Sequence, residues 1–560
     1  MGIAKSLTIS VVGLLAAGSV NTVDAAGKSA SDVFRLIPAD AAVAVGIADL
    51  KELDKSVSIW GKRFDPNAPD NPIITSITEE VPILAWADLT APIGIATMGF
   101  GPSSEPIFWL KVPDFAAKAK EAKATDDNGI WQITYEDTSV LFAAAKGDYV
   151  VVGMSNASVR EAISAEKSLG DVIKGRMSQL GNRNVVLHVD FSKARATALG
   201  AIAQAGMFAP MVAMQLAQGG DPTAANSVVN TVLGTTETFA KQLEYIGVGI
   251  DIDAKAAEAT ITIGFGDGSI KSYLAQQEPA AVSLLSGIPD QPSFFAIGFH
   301  FPGTASPFFD HVISGVLDAM SSAPATGGGG DGEAGETKKA IEEAGQAARR
   351  MLQLIEGVDV AVGIGADGMA IVGSYTTRDA RELQKLLTES MTSTFSLMTK
   401  LGQGAMYKAL GKRRVGSIEI DEFEPDPSGL PGADGLYGEG TRFAIGTVGK
   451  FVRFCMGGSK VVDSVFSERF AATLSASKYN KVALAALPAT RNCVLLIDPV
   501  GLVALAGAMG LPFGGAGTPP PGPPIAISVS FVGDPVRIDI HIPLRAIERV
   551  MEATSEQEPL

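Results

Sequence analysis

The chain predicts an α+β fold in two tandem duplicated domains, each a long, mostly antiparallel sheet of about nine strands with helices packed on its apolar face. Three observations predict it. The stretch "LIPADAAVAVGIADL" (36–50) is echoed by "GIPDQPSFFAIGFHF" (287–301). Five further segments recur in the same order in both halves. Each half also ends in an alternating hairpin, the signature of a sheet with one buried face. With 560 residues the chain is too long for one ordinary core, and a 46% hydrophobic share leaves ample material for two.

Residues 1–26 read as a signal peptide. Lys5 supplies the positive start, "SLTISVVGLLAAG" (6–18) the apolar run, and Val23 and Ala25 the small residues before a cut after Ala25, or after Ala26. No cysteine follows the run, so no lipid anchor is expected. The mature chain then divides into a first repeat, 27–285, and a second, 286–560. A period of about 260 residues is far above that of solenoids, so whole domains are paired.

The elements follow in order. "TAPIGIATMGFGPSSEPIFWLKVPDFAAKAKEA" (90–122) and "VDVAVGIGADGMAIVGSYTTRDARELQKLL" (358–387) each read as strand, turn, strand and charged helix. "GIWQITYED" (129–137) matches "VGSIEIDEF" (415–423). In 139–163 and 442–466 two strands meet at Gly147-Asp148 or Gly449-Lys450, and a helix follows. "NVVLHVDFSKARATALGAI" (184–202) matches "NCVLLIDPVGLVALAG" (492–507). In the last hairpin of the first half, Ile246, Val248, Ile250 and Ile252 alternate with Tyr245, Gly247, Gly249 and Asp251. On return, Ala259, Ile261, Ile263 and Phe265 oppose Glu258, Thr260 and Thr262. In the second half Ile525, Ile527 and Val529, then Val536, Ile538, Ile540 and Ile542, repeat this pattern. The alternation predicts the aliphatic face buried and the polar face wet or lightly covered. "SSAPATGGGGDGEAGE" (321–336) reads as a disordered Gly-rich loop, and 512–524 as a Pro/Gly-rich loop.

The "LIPADA" opening, after a signal peptide and within a duplicated α+β chain, resembles an uncharacterised family of exported bacterial proteins of unknown function. That resemblance implies export to the periplasm or beyond. It carries no active-site residues with it.

No catalytic pattern emerges. The histidines are His188, His300, His311 and His541, none in zinc-ligand spacing. His188 and His541 read as exposed strand residues. His300 and His311 could meet only across a strand-to-helix turn. "GIGADG" (363–368) fits a dinucleotide fingerprint in letters, but a second strand follows it and not a helix. The SxxK pairs Ser164/Lys167 and Ser475/Lys478 lack their companion motifs. Asp251 and Asp253 lack the glycine and distal glutamate of a calcium loop. No metal or cofactor is therefore expected. The net charge of −16 repels nucleic acid.

Two features remain. Trp60, Trp86, Trp109 and Trp131 fall together in the first half and read as core. "AIAQAGMFAPMVAMQLAQ" (201–218) is apolar nearly all round, with Met207, Met211 and Met214 on one stripe and Pro210 expected to kink or break the helix. Burial in the core accounts for such a helix, and an apolar ligand held between sheet and helices is the alternative. No later stretch reads as a membrane span. Cys455 and Cys493 are the disulfide candidates of an exported chain, and a bridge would add about 4 kcal/mol. Strand alternation speaks against it, because Cys493 points inward with Leu495 while Cys455 shares a face with Arg453.

The reading is thus an exported, soluble, non-enzymatic binding or structural component of the bacterial envelope, without a membrane anchor once the signal is cleaved. Its partner would be another envelope protein or an apolar small molecule. A carrier of an apolar ligand and a hydrolase built from scattered residues are the alternatives. N-terminal sequencing of the exported species should begin at Ala26 or Gly27, and a mature chain starting at Met1 or Gly2 would refute the signal peptide.

Overall fold

The computed structural model describes residues 29–555 apart from 101–103, 136–138, 178–179, 181–182, 217–221, 281–282, 301–330, 366–367, 401–406, 426–436, 439, 468–471 and 509–520. The expected signal peptide, His311 and most of both low-complexity loops lie outside the described residues. Helix accounts for 41% and antiparallel sheet for 34%, which is the α+β class. The chain forms two compact units, neither of them one continuous stretch. The first takes the described residues to Ala198, then Gln242–Gly268 and Asp534–Glu548. The second takes Leu199–Lys241, Ser269–Gly533 and the described residues from Arg549.

The first unit opens with a 3-10 turn, Ala30–Arg35, capped by Ser29 and Asp32. There follow β1 (Val43–Ile47), α1 (Leu50–Phe64), α2 (Pro72–Glu80), β2 (Ile93–Thr97), β3 (Ile107–Leu110), α3 (Phe115–Glu121), β4 (Thr125–Asp127) and β5 (Ile130–Tyr135). Then come β6 (Ser139–Lys146), β7 (Tyr149–Gly153), α4 (Asn156–Ser164), α5 (Leu169–Met177) and β8 (Val185–Asp190). The long helices α6 (Phe191–Leu216) and α7 (Pro222–Gln242), which belong to the second unit from Leu199 to Lys241, precede β9 (Leu243–Ile252) and β10 (Ala256–Phe265) of the first. The strands pair antiparallel in the order β10-β9-β8-β1-β2-β3-β7-β6-β5-β4.

The second unit runs α8 (Ser269–Leu274), β11 (Phe295–His300), α9 (Asp331–Leu354), β12 (Ile355–Gly365), β13 (Gly368–Thr377) and α10 (Ala380–Lys400). Next are β14 (Tyr407–Val415), β15 (Ile418–Pro425), β16 (Arg442–Val448), β17 (Phe451–Gly457), α11 (Ser459–Val465) and α12 (Lys478–Ala485). It closes with β18 (Cys493–Ile497), α13 (Pro499–Ala508) and β19 (Ile525–Ser530). Its order is β19-β18-β11-β12-β13-β17-β16-β15-β14. Strand β20 (Val536–Pro543) adds to β10 in the first unit, with Ile261 opposite Ile538 and Ala259 opposite Ile540. Helix α14 (Leu544–Ser555) ends the described chain.

Local chemistry explains the elements. Asp49 caps α1 by accepting from Glu52 N, and Lys62 and Arg63 sit in its last turn. Leu50, Leu53 and Trp60 share its buried face. The β6–β7 and β16–β17 turns place Gly147 at φ 62° and Gly449 at φ 61°, a region that side chains disfavour. Residues 331–336 are not a loop: they open α9. The helix-forming run that follows propagates back through Gly332 and Gly335 once nucleated.

In the first unit, two cores flank the sheet. On one side Val45, Ile47, Ile93 and Phe108 pack with Leu50, Leu53, Trp60 and Ile73 of α1 and α2. On the other, Ala44, Ala96, Trp109 and Val186 pack with Val33, Phe34, Val159 and Ile173. Trp86 and Trp131 pack half-buried against the first of these cores.

The burial of the β9–β10 hairpin reverses the expectation. Tyr245, Gly247, Gly249, Asp251, Thr260 and Thr262 are buried, whereas Ile246, Val248, Ile250, Ile261 and Ile263 are only partly so. Ile252 and Phe265, at the strand ends, are buried as the alternation predicts. The reason is close approach. A Cβ on Gly249 would lie 2.7 Å from Arg183 Cγ, and one on Gly247 would lie 3.1 Å from the Leu180 side chain. The segment ending at Asn184 therefore settles on the small-residue face.

Buried polar groups on that face are paired, His541 Nδ1 excepted. Arg183 Nη1 donates to Asp251 at 2.7 Å and Glu258 at 3.3 Å, and its Nη2 to Thr260 at 3.0 Å. Asp251 also accepts from Asn184 N at 2.8 Å, so it is not a wet-face residue. Thr260 donates to Asp539 at 2.8 Å, and Arg537 grips the same carboxylate. His541 Nδ1 lies 3.5 Å from Glu258, and His541 with Arg183 holds that carboxyl below its usual range.

His188 is likewise buried, 2% exposed, with its ring 5.9 Å from Tyr245. Burial, aided by Arg176, pushes it down to about 4. The folded state then binds fewer protons than the unfolded one, so stability falls as pH drops from about 6.5 to 4, by about 3 kcal/mol. Asp359 in the second unit, pushed up to about 6 by burial, contributes with the opposite sign in the same window. The difference between wild type and His188→Gln isolates the histidine. In chemical denaturation the wild type should lose about 3 kcal/mol relative to the variant between pH 6.5 and 4, and parallel pH curves would refute a neutral buried His188.

Candidate functional site

The Met stripe is the site that chain chemistry singles out, and the structure places it outside the core. Helix α6 continues through Pro210, which removes one backbone N–H from its ladder. Met207 is 71% exposed, Met211 56% and Met214 65%. Phe208 and Val212, on the adjoining stripe, are exposed too. The buried positions of this stretch are Ala209 and Ala213. Over 207–214 the helix turns Ala209 and Ala213 inward and its large side chains out, while Ala201, Ala203 and Ala205 further back are exposed as well. Phe191–Gln215 is long and apolar enough to cross a membrane by length and composition, and little of it is buried.

Helix α7 behaves similarly. Val232 and Phe239 are exposed. Its threonines turn their hydroxyls onto their own helix: Thr235 donates to Thr231 O at 2.8 Å, Thr236 to Val232 O at 2.8 Å and Thr238 to Gly234 O at 2.9 Å.

A second apolar surface lies on the sheet of the first unit. Cross-strand rows run Ile538–Ile261–Val248–Leu187–Val45 and Ile540–Ala259–Ile250–Val185–Ile47. At the β1 end these side chains are buried under α1 and α2; at the β9, β10 and β20 end they are partly exposed. The aliphatic face extends past the helices that cover it. The second unit has its own version, with Ile297, Val360, Leu495 and Ile527 in one partly exposed row. The opposite face, with Ala296, Ala361, Val494 and Ala526, is buried.

Grooves also occur in the second unit, among them one polar and one lined mostly by apolar surface. One, of about 910 Å³, lies between α10 and β14–β16. Its polar groups satisfy one another: Gln384 Nε2 donates to Asp421 at 2.8 Å, Thr388 to Asp421 at 3.2 Å, and Thr447 to Gln384 Oε1 at 2.8 Å. The other, of about 450 Å³, includes Asp290, Phe294, Tyr479 and Asp498. Burial raises both carboxyls, and Arg549 Nη1 donates to Asp498 at 3.2 Å. Among the described residues, no three His, Cys, Asp or Glu side chains converge to hold a metal ion. His300 is part-exposed on β11.

Cys455 and Cys493 are free and buried. Cys455 sits opposite Val372 and Ala444; Cys493 sits opposite Phe299 and Val529. Strands β13, β12 and β11 lie between β17 and β18, a separation of about 19 Å. A bridge needs Cα atoms within about 7 Å. The disulfide suggested by cysteine count does not form.

No family model matches the chain, and no curated protein matches it. Among solved structures, crystal form IV of TP0453 is similar over 45% of this chain and 83% of its own, at 11% identity and a TM-score of 0.22. Crystal form I of TP0453 is similar over 49% and 99%, at 10% identity and a TM-score of 0.20. Likenesses this slight carry no argument about fold or function.

Burial pushes the Cys493 thiol up to about 11 and the Cys455 thiol upward as well, so neither forms a ready nucleophile at neutral pH. Unreduced native protein should resist alkylation at both cysteines and take up two alkyl groups on denaturation without reductant. A mass showing one or no modification under denaturing, unreduced conditions would contradict the free pair.

Proposed function

We propose that the protein is an exported, non-catalytic component of the bacterial envelope that holds an apolar molecule against the aliphatic face of its first sheet. One observation carries this reading. The bulky Ile and Val side chains of β9, β10 and β20 remain partly exposed while the Gly, Thr and Asp face behind them is fully packed. Leaving such a contiguous surface half-covered forfeits about 25 cal/mol for each Å² not buried. A ligand recovers that free energy, and concave or half-covered apolar surfaces are where small molecules bind.

Export is supported by the signal-peptide order of residues 1–26 and by the family resemblance. Duplication is supported by topology: the pairings among β1–β9 recur among β11–β19, strand for strand. The hydrolase reading ranks behind, because the polar groove between α10 and β14–β16 has its side chains bonded to one another.

Organic extraction of native protein should release lipid, and an apolar fluorescent dye should bind the emptied protein. Ile261→Gln, at a partly exposed position, should weaken dye binding about fivefold, and Met211→Gln should not. Empty native protein that binds no dye would refute the proposal. A dye signal lost with Met211→Gln and kept with Ile261→Gln would equally refute the sheet as the site.

A further inference from the structure

We infer that α6 and α7 form a membrane-docking element whose partner is the hydrocarbon of a lipid bilayer. The inference stands apart from the sheet-face reading and is tested by a different quantity.

Orientation is the first support. At 100° per residue, Met207, Phe208, Met211, Val212 and Met214 sweep an arc of about 160° around α6, all exposed. Ala209 and Ala213, on the other side, are buried. A protein that merely tolerated an apolar helix would place the small side chains outward, because that leaves the least apolar area in water. The opposite arrangement makes sense only where the outer surroundings are themselves apolar.

The charge map is the second. Between Arg195 and Glu237 the sole ionisable residue is Asp221, in a chain that is 19% charged. In sequence, Lys193 and Arg195 stand at one end of the stretch, Glu237 and Lys241 at the other, and Asp221 in between. Charges confined to element ends are suited to headgroups, with the uncharged lengths in hydrocarbon. Thirdly, the α7 hydroxyls of Thr235, Thr236 and Thr238 are already bonded to their own helix, so they need no water.

These observations select lipid over a second copy of the chain. Helix pairing uses a narrow seam, whereas the outward arc of α6 is wider than one partner helix covers. Fluid hydrocarbon covers any arc. A net charge of −16 opposes recruitment by anionic headgroups, so attachment must come from apolar burial. Neutral phosphatidylcholine vesicles are therefore the right probe, and salt should not release the protein.

The exported mature chain should float with such vesicles at both low and high salt. Met207→Lys/Met211→Lys/Met214→Lys should lower the bound-to-free ratio by about tenfold or more. Its thermal melt should stay that of the wild type, because the three side chains are exposed and make no core contacts to lose. Ile261→Gln should float normally, so failure of the carrier reading leaves this result untouched. Wild-type protein that stays in the aqueous phase, or a folded triple variant that floats as well as wild type, would overturn the inference. So would a lipid-free wild-type dimer, seen by light scattering, that the triple variant abolishes.

Discussion

Close packing against a face of small residues organises both units. In the first, Gly247 and Gly249 leave no room for a side chain beneath Leu180 and Arg183, and Gly46 leaves none beneath the Ala30 carbonyl, which would lie 2.1 Å from a Cβ there. Covering segments can therefore rest almost on the strand backbone. In the second unit Gly298, Ala361 and Ala526 line the corresponding face, under Leu285, Ile288 and Leu484. Backbone brought that close to a sheet carries polar groups with it, and these must be paired where they are buried.

That requirement explains the buried charges. Asp251 meets Arg183 and the amide of Asn184. Asp359 accepts from Leu285 N at 2.9 Å and Gly287 N at 3.4 Å, pinning the turn that precedes β11. Arg453 then donates from Nε to Gly287 O at 2.9 Å and from Nη1 to Val465 O at 3.2 Å, and burial pushes it down to about 10. Removing one member of such a set leaves the other uncompensated, which costs more than the pair contributes. At Asp359 and Arg453 the perturbed ionisation thus accompanies hydrogen bonds that hold the fold.

Packing the small face tightly leaves the bulky side chains on the other. Helices α1 and α2 cover them over β1 and β2 but not fully over β9, β10 and β20. The same segregation recurs on α6, where Ala209 and Ala213 are buried and Met207 and Met211 are not. In both places large apolar side chains face outward.

The order of strands, turns and helices was legible in the sequence, because period-2 alternation and Gly-centred turns are local properties. The α+β class followed from them. So did the absence of a zinc or dinucleotide pattern, which is also a matter of spacing. Which face of each sheet is buried was not legible. Alternation separates Ile246, Val248 and Ile250 from Gly247, Gly249 and Asp251, but hydrophobicity alone ranks the isoleucines as the inner set, and only the approach of Arg183 reverses it. The Met stripe of α6 could be drawn from spacing, and its exposure could not. Ala209 and Ala213 fall opposite Met207 and Met211 by spacing, but which side of the helix finds a neighbour is decided by the fold. Cys455 and Cys493 make the same point: their strands were evident, and the three strands between them are a fact of tertiary pairing. Sequence sets what each side chain can bury; the fold decides which of them it does.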